Sequence, residues 1–286
     1  MERAIHHLIE EKLNDRIIGK QMVGGGCIAQ TNVLKMESGK HYFLKSGFSD
    51  SMFRKEANGL NELAKPNVIR VPQVVLADDE FLLLEHIQQG VRKANFYEEL
   101  GKQLANMHRY TAENYGFYED NFIGATAQIN TTDRKTAGSW MDFFWENRLL
   151  FQYRLTEKNG HASVRLKQAF IKLEKLIATI IGDSAEEPTL MHGDLWGGNY
   201  MHDENGNPVL FDPAVYYGHR EADLAMTSLF GGFTLEFYQA YQKEFPLKEG
   251  WEFREGIYQL YHVLNHVNLF GTSYLSQAEF LAGRYG

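Results

Sequence analysis

The chain contains 286 residues, of which 44% are hydrophobic and one is a cysteine, and its formal net charge is −8. This length and composition predict one large or two modest domains with an apolar core. The acidic charge argues against a nucleic-acid-binding surface, since a phosphate backbone requires a basic face, and a lone cysteine excludes an internal disulfide framework.

The first segment, MERAIHHLIEEKL, has the pattern of an amphipathic helix with acidic residues at its polar positions. This pattern differs from the apolar centre of a secretory signal. No apolar run approaches the roughly 18 residues of a membrane span. We therefore expect a soluble, cytoplasmic protein without a membrane or nucleic-acid partner.

The first third of the chain favours a small sheet. Short β-type runs at 33–36 and 42–45 flank Glu-Ser-Gly-Lys, which predicts a hairpin. The next segment predicts a helix that Pro66 helps to end, because four apolar residues share one face: Phe53, Ala57, Leu60 and Ala64. Two further strands are predicted at 74–76 and 81–84.

Beyond Gln88-Gln89-Gly90 the pattern becomes helical. Helices are predicted at 96–108, 140–155, 164–181, 222–230, 235–241 and 258–270. Residues 114–138 are rich in Asn, Thr and Gly and predict a long irregular loop. The expected fold is therefore α+β and bilobal, with a small antiparallel-sheet N-lobe (1–87) and a larger, mainly helical C-lobe (88–286).

The segment HGDLWGGNYMHDENGNPVLFD carries the most informative spacing. Asn199 and Asp212 follow Asp194 by five and eighteen residues, the spacing at which protein-kinase-like folds place a catalytic base and two metal ligands. An Asn-Gly turn at 205–206 and the apolar run 209–211 predict a hairpin that returns Asp212 to the catalytic loop. Oxygen ligands of this kind suit Mg²⁺.

The N-lobe supplies candidates for the nucleotide side, with ATP as the expected cofactor. A glycine run can approach phosphates closely, a strand-terminal lysine can pair with them, and a helical glutamate can orient the lysine. The linker backbone is expected to carry the adenine hydrogen bonds. The residues concerned are Gly24, Gly25 and Gly26 in the loop, Lys45, Glu56, and Glu85, His86 and Ile87 in the linker.

Two features favour a small-molecule kinase over a protein kinase. Gly193 stands where protein kinases place an arginine that pairs with an activation-loop phosphate. Only ten residues separate Asp212 from Asp223, too few for an activation segment and a peptide-docking platform. Asp223 is expected to anchor the catalytic loop through backbone N–H groups, or to act only as an acid at a helix N-terminus.

The chain resembles the fructosamine/ketosamine-3-kinase family over nearly its whole length. The resemblance is carried by HGDLWGGN, FDPAVYYGHREADLAMTSLFGGF and YQLYHVLNHVNLFGTSY, supported by GGGCIAQTN, FLKS, KEANGL and SWMDFFWENRL. HGDLxxGN alone is shared with aminoglycoside phosphotransferases and choline-type kinases, so the longer stretches are the more specific ones. The stretch 29–32 departs from the Ile-Asn start that is frequent in relatives.

The resemblance implies ATP-dependent phosphorylation of the C3 hydroxyl of a ketosamine, small or protein-bound, followed by spontaneous loss of the phosphate and release of the amine. Asp194 would be the base, Asn199 and Asp212 the Mg²⁺ ligands, and Lys45 the phosphate cation. Five residues become candidates for the sugar side, with packing as the alternative: Trp196, Tyr217, His219, Arg220 and Glu221. The competing functions are another small-molecule phosphotransferase and a nucleotide-binding scaffold without catalysis.

Three further features leave alternatives open. The aromatic residues at 140, 143, 144 and 145 could wall the acceptor pocket but more often form core. His262 and His266, four residues apart, are interpreted as core or surface histidines, since no third metal ligand is evident. Cys27 follows the glycine run and is expected to be partly exposed and redox-sensitive, with a homodimer through Cys27 on oxidation, unless it packs under the sheet.

Overall fold

The computed structural model describes residues 2–24, 29–47, 51–184 and 186–285, with the side chain of Asp183 excepted. The predictions made for Gly25, Gly26 and Cys27 fall outside these residues. Within the described ranges, no helix is both long and apolar enough to cross a membrane.

The N-lobe is a five-stranded antiparallel sheet with two helices. In chain order its elements are α1 (Glu2–Leu13), β1 (Ile17–Met22), β2 (Gln30–Met36), β3 (His41–Ser46), α2 (Met52–Ala64), β4 (Val74–Ala77) and β5 (Phe81–Glu85). The strand order is β1-β2-β3-β5-β4. The predicted hairpin, helix and strand pair are all present, and β1 is an additional strand whose mixed polar sequence gave no clear signal.

The two helices cover opposite faces of this sheet because successive side chains of a strand alternate. On one face Ile5 and Ile9 of α1 pack with Leu83 of β5, and on the other Phe53 and Leu60 of α2 pack with Leu82 and Leu84. Lys45 of β3 points to the α2 side, where its ammonium contacts Glu56.

The C-lobe is mainly helical. Its elements are α3 (Phe96–Met107), β6 (Asn121–Ile123), β7 (Thr126–Gln128), α4 (Arg134–Ala137), α5 (Trp140–Phe144), a π-helical turn (Trp145–Leu150), α6 (Phe151–Lys158), α7 (Val164–Ile181), β8 (Thr189–Met191), β9 (Tyr200–His202), β10 (Pro208–Leu210), β11 (Tyr216–Gly218), α8 (Glu221–Leu229), α9 (Leu235–Glu244), α10 (Trp251–Phe270) and α11 (Leu275–Gly283). Two further short pairs, β9–β10 and β8–β11, are antiparallel.

Most predicted helices are present with shifted ends. The segment predicted as one helix at 140–155 contains the π-helical turn, and α10 begins at Trp251 instead of residue 258. Helix α11 was missed. The aromatic residues Trp140, Phe143 and Phe144 are all 1% exposed or less, so they form core and do not wall an open pocket.

The prediction of an irregular loop at 114–138 was wrong in part. Strands β6 and β7 form a hairpin there, and α4 follows it. The polar residues that suggested a loop include buried side-chain amides. These amides form hydrogen bonds that hold the segment to the main chain after Asp212. The Asn121 side chain donates to the Val215 carbonyl at 2.8 Å and that of Gln128 to the Ala214 carbonyl at 2.9 Å.

Candidate active site

The loop between β8 and β9 is anchored by a buried carboxylate at the start of α8. Asp223, 1% exposed, accepts the backbone N–H of His192 at 2.7 Å and that of Gly193 at 2.8 Å. The Nε2–H of His108, a fully buried residue on the C-terminal side of α3, donates to the same carboxylate at 3.2 Å. These three donors fix the loop immediately before Asp194.

Gly193 is required by its backbone. Its φ is +82°, and a Cβ at this position would lie 1.9 Å from the carbonyl oxygen of Ala214. The two segments are held at this distance by a hydrogen bond from the Ala214 N–H to the His192 carbonyl at 2.8 Å. The arginine that protein kinases place here would not fit. Glycine is needed at this position so that the two segments can pack closely, and it leaves no side chain that could pair with an activation-loop phosphate.

His192 joins the loop to the segment that carries Asp212. Its Nδ1 accepts the N–H of Asp194 at 3.3 Å, so its Nε2 carries the proton and donates to the carbonyl of Phe211 at 3.0 Å. Burial lowers the pKa of His192, and the nearby carboxylates only partly oppose this effect. The neutral ring therefore acts as a fixed spacer between Asp194 and Asp212.

Asp194 and Asn199 contact each other directly. The Asn199 side-chain N–H₂ donates to the Asp194 carbonyl at 2.8 Å and to the Asp194 carboxylate at 3.2 Å. Because the amide nitrogen is used in this way, the Asn199 Oδ1 faces elsewhere as an acceptor. Burial and the negative charge of Asp212 raise the pKa of Asp194 to about 7, while the Asn199 hydrogen bond opposes the shift.

Asp212 lies at a strained backbone position between the lobes. Its φ is +54°, a left-handed conformation that aspartate adopts more readily than most residues do. Its carboxylate accepts a hydrogen bond from the Lys45 ammonium, and its carbonyl accepts one from Asn199 at 3.4 Å. Such strain at a position with polar partners is frequent at functional sites.

Lys45 pairs with two carboxylates. Its ammonium is 2.7 Å from Glu56 Oε1 and also contacts Asp212. Burial alone would lower the pKa of Lys45, but the two carboxylates outweigh it and raise the pKa above its usual value. The lysine therefore remains charged at all physiological pH values. Glu56, Lys45, Asp212, Asn199 and Asp194 form one continuous chain of contacts from α2 to the catalytic loop.

The linker residues lie at the end of β5. The Glu85 side chain pairs with Arg70 at 2.5 Å, and its N–H donates to the Gln73 carbonyl. Ile87 is 8% exposed, and within the described residues its main-chain N–H has no hydrogen-bond partner. His86 is half-buried beside them. At Gly24 a Cβ would have no atom within 4 Å, so packing within the described chain does not require glycine there.

Four residues predicted for the sugar side have other partners. His219, Arg220 and Glu221 are 4% exposed or less, and their side chains bond to the Ser184 carbonyl, to Glu186 and to Arg254 respectively. Tyr217 is 9% exposed and donates to Glu62. The structure therefore places these four side chains in buried positions with partners inside the protein, which agrees with the packing alternative.

Trp196 is the member of that set that remains accessible. It is 40% exposed, two residues after Asp194. A Cβ on Gly198 would lie 2.4 Å from the edge of its ring, so Gly198 is required for the indole to lie across the catalytic loop. An exposed aromatic face beside the proposed base suits the C–H surface of a sugar.

Sequence reasoning missed several residues that position the site. His108 gave no signal, because its link to Asp223 joins α3 to α8 across 115 residues. Arg148 was part of the motif SWMDFFWENRL but received no role. It is fully buried and donates to the Ile129 carbonyl and to Asn130 Oδ1, each at 2.6 Å. It thereby supports the segment that contacts the main chain after Asp212.

Comparisons with known proteins agree with this geometry. The family model described as fructosamine kinase matches residues 1–284. The chain belongs to the fructosamine kinase family. A probable ketoamine kinase of Enterococcus faecium is 39% identical over 278 residues, covering 95% of this chain and 96% of that protein. The chloroplastic protein-ribulosamine 3-kinase of Arabidopsis thaliana is 40% identical over 265 residues, covering 90% and 79%.

Solved structures show the same fold. The crystal structure of a putative fructosamine-3-kinase from Thermobifida fusca has a TM-score of 0.89 and 31% identity, covering 99% of this chain and 98% of that one. An aminoglycoside phosphotransferase matches with a TM-score of 0.64 at 14% identity, covering 100% and 99%, which shows a shared protein-kinase-like fold. This member of the fructosamine kinase family is thus a kinase with a bilobal α+β architecture.

Proposed function

We propose that the protein is an ATP-dependent ketosamine 3-kinase, with residues 1–87 as the nucleotide-binding lobe and 88–286 as the catalytic and acceptor-binding lobe. The observation that carries the proposal is the continuous set of contacts that joins Glu56, Lys45, Asp212, Asn199 and Asp194. A nucleotide-binding scaffold without catalysis would not need a proton acceptor with a raised pKa at the end of this set.

The nucleotide side follows from the N-lobe contacts. The permanently charged Lys45, oriented by Glu56, is suited to the α/β-phosphates. The N–H of Ile87 is a donor for the adenine ring at the linker. Gly24 begins the glycine run that is proposed to approach the phosphates.

The proposed metal is Mg²⁺, and the donor set fits it. Asp212 offers carboxylate oxygens, and Asn199 offers Oδ1 because its nitrogen is committed to Asp194. Among the described residues, no group of three or more His, Cys, Asp or Glu side chains could hold a metal ion. Mg²⁺ binds to one or two protein side chains and completes its shell with phosphates and water, so Asp212 and Asn199 are sufficient as protein ligands. When bound, the ion would neutralise charge on the β- and γ-phosphates.

Asp194 would act as the general base. Its carboxylate accepts the proton of the C3 hydroxyl as that oxygen forms a bond to the γ-phosphorus, and the bond from this phosphorus to the bridging oxygen breaks to release ADP. The pKa of about 7 allows proton acceptance at neutral pH. Asn199 and the neutral His192 hold the carboxylate and the loop in place while this occurs.

The acceptor class is inferred from the relatives named above. A ketosamine phosphorylated at C3 would decompose and release the amine and inorganic phosphate, so the physiological role would be deglycation of small or protein-bound amines in the cytoplasm. Trp196 is the described residue best placed to contact the sugar.

An ADP-release assay tests this function. We expect turnover with Mg·ATP and ribulose-, fructose- or erythrulose-lysine, and at least ~100-fold less with the Asp194→Asn variant. Turnover confined to aminoglycosides or to choline would assign another small-molecule kinase of the same fold. Binding of Mg·ATP without turnover on any acceptor would assign a scaffold.

A further inference from the structure

Helix α2 lies directly against the segment that follows Asp212. A Cβ on Gly59 would approach Val215 Cγ2 to 3.3 Å and Pro213 Cγ to 3.5 Å. The helix that carries Glu56 therefore packs closely against the C-lobe, with glycine at the point of nearest approach. Its position depends on contacts made at this interface.

A buried hydrogen bond crosses the same interface three residues further along α2. The hydroxyl of Tyr217 donates to Glu62 Oε1 at 2.8 Å, and these residues are 9% and 6% exposed. Burial and the Glu62 carboxylate raise the pKa of Tyr217, so the hydroxyl remains a donor throughout the working pH range. The other partner of Glu62, Lys65, has a half-exposed side chain and is itself on the N-lobe.

Main-chain hydrogen bonds hold Tyr217 in place within the C-lobe. Its main chain pairs with Leu190 of β8, the strand that leads into the catalytic loop. It also exchanges two hydrogen bonds with Gly116, at 2.8 and 2.9 Å. A second contact, from the Asn58 side chain to Glu119 Oε1 at 2.8 Å, holds α2 to the segment beside Gly116.

Helix α2 connects this attachment to the Glu56–Lys45 ion pair. Glu56 lies six residues before Glu62 on one uninterrupted helix, and its carboxylate is 2.7 Å from the Lys45 ammonium. In protein kinases the corresponding lysine–glutamate pair is controlled by helix position and an activation loop. Here the ten residues between Asp212 and Asp223 leave no room for such a loop.

We propose that the Tyr217–Glu62 hydrogen bond is a positioning contact that fixes α2 against the C-lobe and so holds Glu56 at Lys45. Tyr217 acts through α2 on nucleotide binding and makes no contact with the acceptor sugar. The kinetic part of this inference rests on the proposed function, whereas the structural part does not.

The test compares Tyr217→Phe with a matched control, Tyr153→Phe. Tyr153 is 7% exposed and donates to Glu157 Oε1 at the same 2.8 Å, but both residues lie on α6, remote from α2. Hydrogen exchange of the α2 amides is measured without any ligand, and KM for ATP and for the acceptor are measured separately. Each variant loses one hydroxyl that donates to a carboxylate.

We expect Tyr217→Phe to speed exchange in α2 and to raise KM for ATP, each by about tenfold, the loss expected for one hydrogen bond to a charged group. KM for the acceptor should change less than about twofold, and Tyr153→Phe should leave α2 exchange and both KM values at wild-type levels. Glu62→Gln, which keeps an acceptor oxygen, should stay within about threefold of wild type, whereas Glu62→Ala should match Tyr217→Phe.

Equal α2 exchange in Tyr217→Phe and Tyr153→Phe would overturn the proposal. A rise in the acceptor KM with an unchanged ATP KM would also overturn it and would return Tyr217 to the sugar side. If the wild-type protein turned over no acceptor, the ligand-free exchange comparison would still decide the role of Tyr217, while the proposed function would fail on its own.

Discussion

We expect the Asp223→Asn variant to show that Asp223 anchors the catalytic loop in addition to stabilising the fold. The two carboxylate oxygens of Asp223 accept the N–H groups of His192 and Gly193, at 2.7 and 2.8 Å. Asparagine has one side-chain oxygen, so its amide nitrogen must face one of these two buried donors. In either orientation one backbone N–H loses its acceptor.

The cost can be worked out from these contacts. A buried donor left without a partner costs about 1–3 kcal/mol, and the remaining hydrogen bond loses its charge assistance, about 1 kcal/mol more. The total of about 2–4 kcal/mol corresponds to a fall in Tm of roughly 3–7 °C for a chain of this size. It is a large fraction of typical stability, yet the protein should still fold.

The pH dependence follows from the pKa of Asp223. Burial alone would raise this pKa, but the hydrogen bonds that His108 and the backbone N–H groups donate to the carboxylate outweigh it and hold the pKa below its usual value. A carboxyl whose pKa is depressed on folding contributes stability above its unfolded pKa of about 3.9 and loses it as pH falls through the folded value. The Tm difference between wild type and Asp223→Asn should therefore be constant near neutral pH and shrink below about pH 4.

The assay is thermal unfolding together with kcat, with Asp203→Asn as the control. Asp203 is also buried, 3% exposed; its Oδ1 accepts the N–H groups of Asn205 and Asn207 in the β9–β10 turn, and its Oδ2 pairs with Arg70 at 3.0 Å. Asp203→Asn removes the buried charge that pairs with Arg70 and should also lower Tm, but only Asp223→Asn should lower kcat, by about tenfold or more, because the loop that carries Asp194 is released. A wild-type kcat in a destabilised Asp223→Asn protein would refute the anchoring role.

Three further substitutions test the site. Asp212→Asn should nearly abolish turnover with little change in Tm, because asparagine tolerates the left-handed backbone; a wild-type rate at saturating Mg²⁺ would exclude Asp212 as a metal ligand. Asp194→Asn should lower kcat by roughly 10²–10⁴-fold while calorimetry still detects ATP binding; loss of ATP binding would point to a different role. Arg148→Met should lower the unfolding free energy by about 1–3 kcal/mol, since it leaves Asn130 Oδ1 without a partner and the Ile129 carbonyl with only the 3.4 Å hydrogen bond from Asn147, and an unchanged denaturant midpoint would contradict this.

The sequence predicted those features of the fold and of the site that depend on residues close together in the chain. The spacing of Asp194, Asn199 and Asp212 specified a loop and a hairpin, and the structure brings these three residues together. Short β-type runs identified strands β2 to β5, and the helical period identified α2 and α7. In each case the signal and the structure lie within a few residues of each other along the chain.

Contacts between distant segments could not be predicted from the sequence. Arg220 was placed on the sugar side because the motif around it was recognisable, but its guanidinium bonds to Glu186 and to the main chain at 245 and 246. Polar residues at 121, 128 and 130 indicated an irregular loop because nothing local reveals that they bind carbonyls about 90 residues away. Charge and polarity identify residues that need partners, but not which partners they find.

The most direct test of ketosamine 3-kinase activity is phosphorus NMR of a reaction containing Mg·ATP and a ribulose-modified lysine. We predict a new resonance from a phosphate ester on the C3 oxygen, followed by its slow replacement by inorganic phosphate as free amine appears. A phosphate ester that persists unchanged, or transfer to a different hydroxyl, would contradict the proposed function.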